Sequence, residues 1–248
     1  MFARNKRKIA IIQHILAAAD PLASLLDAVA NRTVTALPRG IDPRAVQNTM
    51  VRCVPLSPAA RACLERILVA SDVRCHLEAL HRLQVLEVIF PEVTACIGVP
   101  HGGCGINDVF EHLLETCRSI MPNLRMRLAG LLHDIGKPDT VSFKNGRLTF
   151  HGHQSVGRDK AFALLTRLGF QDDLVLSVTE LIRYHMFPYS EHDGSSPILR
   201  LVAKLGQSTV LDLLELRRAD VVASGGDCAR ALPVLMALAE ELKQLRGS

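Results

Sequence analysis

Residues 127–143 read RLAGLLHDIGKPDTVSF. Leu128, Leu131 and Leu132 recur at helical spacing, and the run ends by placing His133 and Asp134 side by side ahead of Gly136, Lys137 and Pro138. The period predicts a buried helix over 124–135, ended where glycine and proline break it. Neighbouring side chains on a helix point about 100° apart. An imidazole and a carboxylate at a helix end can therefore serve one site if Gly136 lets the chain turn away, although such a pair also suits an ordinary helix C-terminus.

Working outward, the remaining signals are also mostly helical. Of 248 residues, 48% are apolar but only 4% aromatic, with no tryptophan, so an aliphatic, all-α core is expected. Helical patterns cover 8–18, 21–31, 60–70, 73–83, 109–121, 153–168, 172–184, 198–205, 208–224 and 231–245, with Ser57 as N-cap and Pro58 in the first turn of the third helix in that series. LPRGIDPR breaks periodicity after residue 36, and VPHGGCGIND from Val99 reads as a loop. It carries neither a preceding strand nor the GKS/T of a phosphate loop. TVSFKNGRLTF alternates around Asn145-Gly146 and predicts one small β-hairpin at about 140–150.

The net charge of +4 and pI near 8.8 permit an anionic substrate without marking a nucleic-acid surface. Seven cysteines without a CxxC pair argue for a reducing, cytoplasmic setting. Lys8 to Ala19 reads as an amphipathic helix rather than a signal peptide, and no apolar run reaches the roughly 18 residues of a membrane span, so no membrane partner is expected. A mean hydropathy of +0.20 is compatible with a buried helical interface and hence a homo-oligomer.

Ten histidines include His112, His133, His153 and His185, each in or beside a predicted helix. A helical bundle can gather such residues, and imidazoles with a carboxylate suit a divalent metal that keeps positions open for water and a phosphate oxygen. His14, His76, His81, His101 and His192 are expected to be surface or satisfied core histidines without partners, and His151 to hydrogen-bond a backbone carbonyl.

DVFEHLLET, LAGLLHDIGKPDT, FHGHQSVG, LIRYHMF and LLELRRADVVA follow one another in an order that resembles the HD superfamily of metal-dependent phosphohydrolases. Within it, they resemble the HD domain of bacterial tRNA nucleotidyltransferases. The resemblance implies an all-α HD-domain bundle at 107–225, preceded by a helical connector (56–106); helical patterns alone give an N-terminal segment (1–55) and a C-terminal helix at 226–248 packing on the HD domain. It implies a first metal held by His112, His133, Asp134 and Asp220. It also leaves open a second, with His153 and His185, Asp134 then bridging. The cation, any of Ni, Mn, Co, Fe, Zn or Mg, would activate water for attack on phosphorus, with Asp134 orienting that water.

Lys137, Arg183, Arg217 and Arg218 are candidates for the substrate phosphate, against the alternatives of a helix-capping lysine and surface ion pairs. Phe187 and Tyr189 could stack a base or close the core. The Gly-Ser turn and paired-Asp strand of a nucleotidyltransferase head are not found in the sequence. The expected activity is therefore hydrolysis of 2′,3′-cyclic phosphates, nucleoside monophosphates or RNA ends, and not nucleotide addition. Two alternatives remain: an RNA- or protein-binding HD module with a vestigial site, and a hydrolase of dNTPs or guanosine alarmones.

Overall fold

The computed structural model describes residues 2–101, 108–144, 147–187, 196–225 and 231–244. They form an all-α bundle with one two-stranded hairpin. The front helices are α1 (Phe2–Leu16), α2 (Pro21–Ala30), α3 (Pro43–Val51), α4 (Pro58–Leu68) and α5 (Val73–Arg82), followed by the short turns α6 (Leu86–Ile89) and α7 (Pro91–Thr94). Side chains start several of them by accepting a free backbone N–H: Asp20 from Ala23, Asp42 from Arg44 and Ser57 from Ala60.

Two expectations change here. Asp42-Pro43 starts α3 where the sequence reads as a break, because aspartate and proline are N-cap and first-turn residues as well as turn formers. In addition, α1 runs from residue 2 and carries the basic stretch Arg4–Lys8 in its first half.

The second half comprises α8 (Val109–Ser119), α9 (Leu124–Leu132), α10 (Lys137–Thr140), β1 (Ser142–Lys144), β2 (Arg147–Thr149), α11 (His153–Arg167), α12 (Asp172–Tyr184), α13 (Ser196–Leu205), α14 (Gln207–Ser224) and α15 (Leu232–Gln244). Asp108 and Asn123 cap α8 and α9 through the N–H groups of Glu111 and Met126. The strands pair antiparallel with Phe143 opposite Leu148, as the hairpin prediction requires, although Asn145-Gly146 lies outside the described residues.

Helix α9 is the centre of this half. Met126 to Leu132 are all buried, and α9 lies against α4, α8, α12 and α14. A helix apolar all round must be enclosed on every side. Arg127 is the exception in type, and its guanidinium donates to the carbonyls of Cys117 and Met121 at 2.6 and 3.3 Å, so its buried charge is hydrogen-bonded. One buried apolar cluster runs from Ile12 on α1 to Leu242 on α15.

Gly136 does not act as a left-handed turn: its φ is −83°. It is instead a point of close approach, since a Cβ there would lie 2.1 Å from the carbonyl oxygen of His153 and 2.6 Å from the amide nitrogen of Gly157. The absent side chain lets the start of α11 press against the end of α9, which brings His153 beside Asp134.

Candidate metal centre

Four elements converge at the C-terminal end of α9. It delivers His133 and Asp134, α8 delivers His112, α11 starts at His153, α12 ends at His185, and α14 supplies Asp220. All six side chains are buried. Asp134 is the hub, and its two oxygens face different neighbours. Oδ2 lies 3.3 Å from Nε2 of His133 and 3.7 Å from that of His112, while Asp220 Oδ1 closes the group at 3.1 Å from His112. Oδ1 lies 3.1 Å from Nε2 of His153 and 3.7 Å from that of His185.

Hydrogen bonding fixes how the rings present themselves. Nδ1–H of His133, His153 and His185 donates to the carbonyls of Gly130, Phe150 and Ile182 at 2.9, 2.8 and 2.7 Å. A carbonyl only accepts, so the neutral form of each ring carries its lone pair on Nε2, turned inward. Nε2 of His153 and Nε2 of His185 then face each other at 3.2 Å, while Nε2 of His112 lies 3.2 Å from that of His133 and 3.1 Å from Asp220 Oδ1. Facing lone pairs repel unless a cation lies between them. Donors about 2.1 Å from a shared ion at tetrahedral or octahedral angles are roughly 3.0–3.4 Å apart. The donor set fits a divalent metal on both sides of Asp134.

The charges agree with this fit. Burial alone would raise the Asp134 carboxyl, but the charges of His133 and Lys137 hold it well below the usual carboxylate range. Asp220 is likewise held down against burial by its hydrogen bond with His112 and by His133 and Arg217. Burial depresses His112 despite its bond to Asp220, and burial together with His133 pushes His185 down to about 3. At His133 burial is outweighed by Asp134 and Asp220, which raise its pKa. The two carboxylates concentrate negative charge at one point, among mostly neutral imidazoles.

A cavity of about 410 Å³ opens onto the cluster. Lys137 and Arg217 line it, each tied to a carboxylate: Lys137 Nζ is 2.5 Å from Asp134 Oδ2, and Arg217 Nη1 is 2.5 Å from Asp220 Oδ2. Lys137 is buried and its ammonium lies 5.3 Å from the Phe150 ring centroid, so it is not a solvated helix cap. Two of the four phosphate candidates fall elsewhere. Arg218 is engaged by Glu215 and the Ser119 carbonyl, because adjacent helical residues diverge, and Arg183 lines other cavities.

The minor histidines also sort themselves. His101 is a correction: it lines the cavity with Nε2 4.0 Å from Asp134 Oδ2, its ring stacked on His112 at a centroid distance of 3.9 Å and 26° between planes. With His112 and Asp134 it forms a further group whose donor atoms lie close enough together to hold one ion, so His101 adds to the donor set on the cavity side. Its loop position carried no spacing signal. Burial, with His112 and Lys137, pushes it down to about 3.

His151 is exposed at the same cavity, and no hydrogen bond to a backbone carbonyl is found among the described residues. His76 and His81 do have partners, Asp72 and Glu87 at 3.3 and 2.7 Å, but both are remote from the cluster. Exposed His14 matches its expectation. Phe187 is buried in the core, whereas Tyr189 and His192 lie outside the described residues. No described helix is long and apolar enough to cross a membrane.

Residues 109–224 match the family described as "HD domain". The chain is also similar to a CC-adding tRNA nucleotidyltransferase of Thermus thermophilus, 32% identical over 197 residues, which is 77% of this chain and 45% of that protein. An A-adding tRNA nucleotidyltransferase of Deinococcus radiodurans is 31% identical over 176 residues, 68% of this chain and 40% of the relative. The chain thus spans less than half the length of these relatives.

Proposed function

Because residues 109–224 of this chain are an HD domain, and HD domains belong to a superfamily of metal-dependent phosphohydrolases, we propose that the chain hydrolyses phosphate esters, with 2′,3′-cyclic phosphates and nucleoside monophosphates as its substrate class. The observation that carries this reading is the division of Asp134: one oxygen faces His133 and His112, the other His153 and His185, at the mouth of a cavity lined by two cations.

His112, His133, Asp134 and Asp220 would hold a first divalent ion, and Asp134, His153 and His185 a second. A cation held there supplies Lewis acidity toward a phosphate oxygen and makes water a better nucleophile near neutral pH. The chain's own groups do the rest. Asp134 orients water through its lone pairs, while Lys137 keeps that carboxylate ionised and turns an ammonium toward the cavity. Arg217 performs the same service for Asp220 and offers guanidinium N–H groups to non-bridging phosphate oxygens. Both cations are in place before charge develops, so little reorganisation is needed in the transition state.

The test is a screen of metal-loaded protein against 2′,3′-cyclic nucleotides, nucleoside 2′-, 3′- and 5′-monophosphates, dNTPs and bis-p-nitrophenyl phosphate, with Mn²⁺, Ni²⁺, Co²⁺ or Mg²⁺ added. Turnover of the cyclic or monophosphate compounds, abolished by a chelator, is the expected result. Protein that neither retains metal nor turns over any ester overturns the reading in favour of a binding module. Preference for dNTPs would move the substrate class. Incorporation of CMP or AMP into tRNA by the same preparation would replace hydrolysis with the chemistry named for the relatives.

A further inference from the structure

Met186 borders two cavities at once. On one side is the cavity of the metal centre; on the other is a hollow of about 370 Å³ bounded by Gln154, Arg183, Tyr184, Phe187, Arg200 and Leu201. That volume lies within the roughly 300–1,000 Å³ of small-ligand sites. Helix α12 supplies Arg183 and Tyr184, α13 supplies Arg200 and Leu201, and Gln154 follows the cluster histidine His153 directly.

Arginines gather at this hollow. Arg74, Arg118, Arg217 and Arg218 all have carboxylate partners. Among the described residues, Arg183, Arg200 and Lys204 have no ion-pair partner and no carboxylate lines this hollow. Asp173 and Glu180 border a separate cavity that shares Arg183 and Tyr184. Lys204 Nζ lies 4.8 Å from the Tyr184 ring centroid and the Arg183 guanidinium 5.9 Å from it.

Two cations near a half-buried aromatic ring, with Arg200 lining the same hollow one residue away from a site for a phosphate ester, form the combination that holds single strands: charge for the phosphate and a π-face for a base. We propose that this hollow binds the penultimate phosphate and a base of a single-stranded nucleic acid whose terminal phosphate ester occupies the metal cavity. The inference rests on the hydrolase reading for the terminal phosphate, and it makes a strand end, not a free mononucleotide, the preferred substrate. An acidic polypeptide would meet the same charges but gain nothing from the ring.

The experiment uses the full chain and a short fluorescein-labelled single-stranded RNA ending in a 3′-phosphate, with DNA of the same sequence in parallel, read by fluorescence anisotropy across a salt series. Arg200→Ala/Lys204→Ala should weaken binding by about tenfold or more. The slope of log Kd against log salt should fall by about 0.7, the share of one phosphate contact on a single strand. Arg200→Lys/Lys204→Arg should retain both, and Tyr184→Phe should bind where Tyr184→Ala does not. Wild-type affinity and slope in the double alanine variant would overturn the inference, as would displacement of the RNA by poly-glutamate at equal charge.

Hydrolysis of bis-p-nitrophenyl phosphate separates the two claims. Protein that binds RNA in this manner but never hydrolyses an ester defeats the hydrolase reading alone. Protein that hydrolyses the small ester but loses no RNA affinity on substitution defeats this inference alone.

Discussion

His76 lies 3.3 Å from Asp72, and His133 lies 3.3 Å from Asp134. The first pair sits one turn apart at the start of α5, and Asp72 also pairs with Arg32. Its charge is already matched, and burial, aided by Arg32, lowers the His76 pKa. The second pair has the same separation but different surroundings: Lys137, His112, His153 and His185 all reach Asp134 from other segments. A single imidazole beside a carboxylate is ordinary helix chemistry. Convergence of several inward lone pairs from distant segments makes a cation site.

Breaking the hub on each side should show this most strongly. Asp134→Ala should reduce metal retention by more than about a hundredfold, beyond the roughly 10–100-fold cost of outer-shell changes. Asp72→Ala should leave metal content unchanged. Elemental analysis after gel filtration reads both, and equal metal in the two variants would remove the distinction.

Lys137→Met, which keeps the stem but deletes the ammonium, should lower kcat on the order of 100-fold, the scale of one preorganised donor. Arg218→Ala should stay close to wild type, as steady-state rates would show. Gly136→Ala should destabilise by about 1–3 kcal/mol through forced contact with His153 and Gly157, measured by urea unfolding.

Excess metal at about 100 times its Kd should add about 2.7 kcal/mol. Hydrogen exchange should then slow in α9, α11, α12 and α14 but not in α2 and α4. The smallest effect belongs to the front half: Arg66→Ala, which loses an exposed pair with Asp27, should shift stability by no more than about 1 kcal/mol.

What the sequence revealed follows from whether a feature is local. Ser57-Pro58 as a helix start, the alternation flanking Asn145-Gly146 and the apolar run ending in His133-Asp134 are each decided within a few residues, and the structure contains the helix, the hairpin strands and the buried run. The gathering of His112, His153, His185 and Asp220 around that pair needed the order of motifs across the chain, because no periodicity links them. Three features needed the folded molecule. His101 reaches the cavity by stacking on a ring from another element. Arg217 and Arg218 differ only in helix rotation. Gly136 matters through contact with α11, a segment absent from its local sequence.

The enclosure of α9 has a consequence for the order in which the molecule is made. Its C-terminal end carries His133 and Asp134, but the set around them is completed only by Asp220 on α14, more than one hundred residues beyond His112. Bringing such distant partners together costs closure entropy that local helices do not incur. During synthesis the front helices can form long before any cation has a full set of donors. Capture of a metal at the proposed site would therefore report that synthesis has passed α14 and that its helix has docked on α8 and α9.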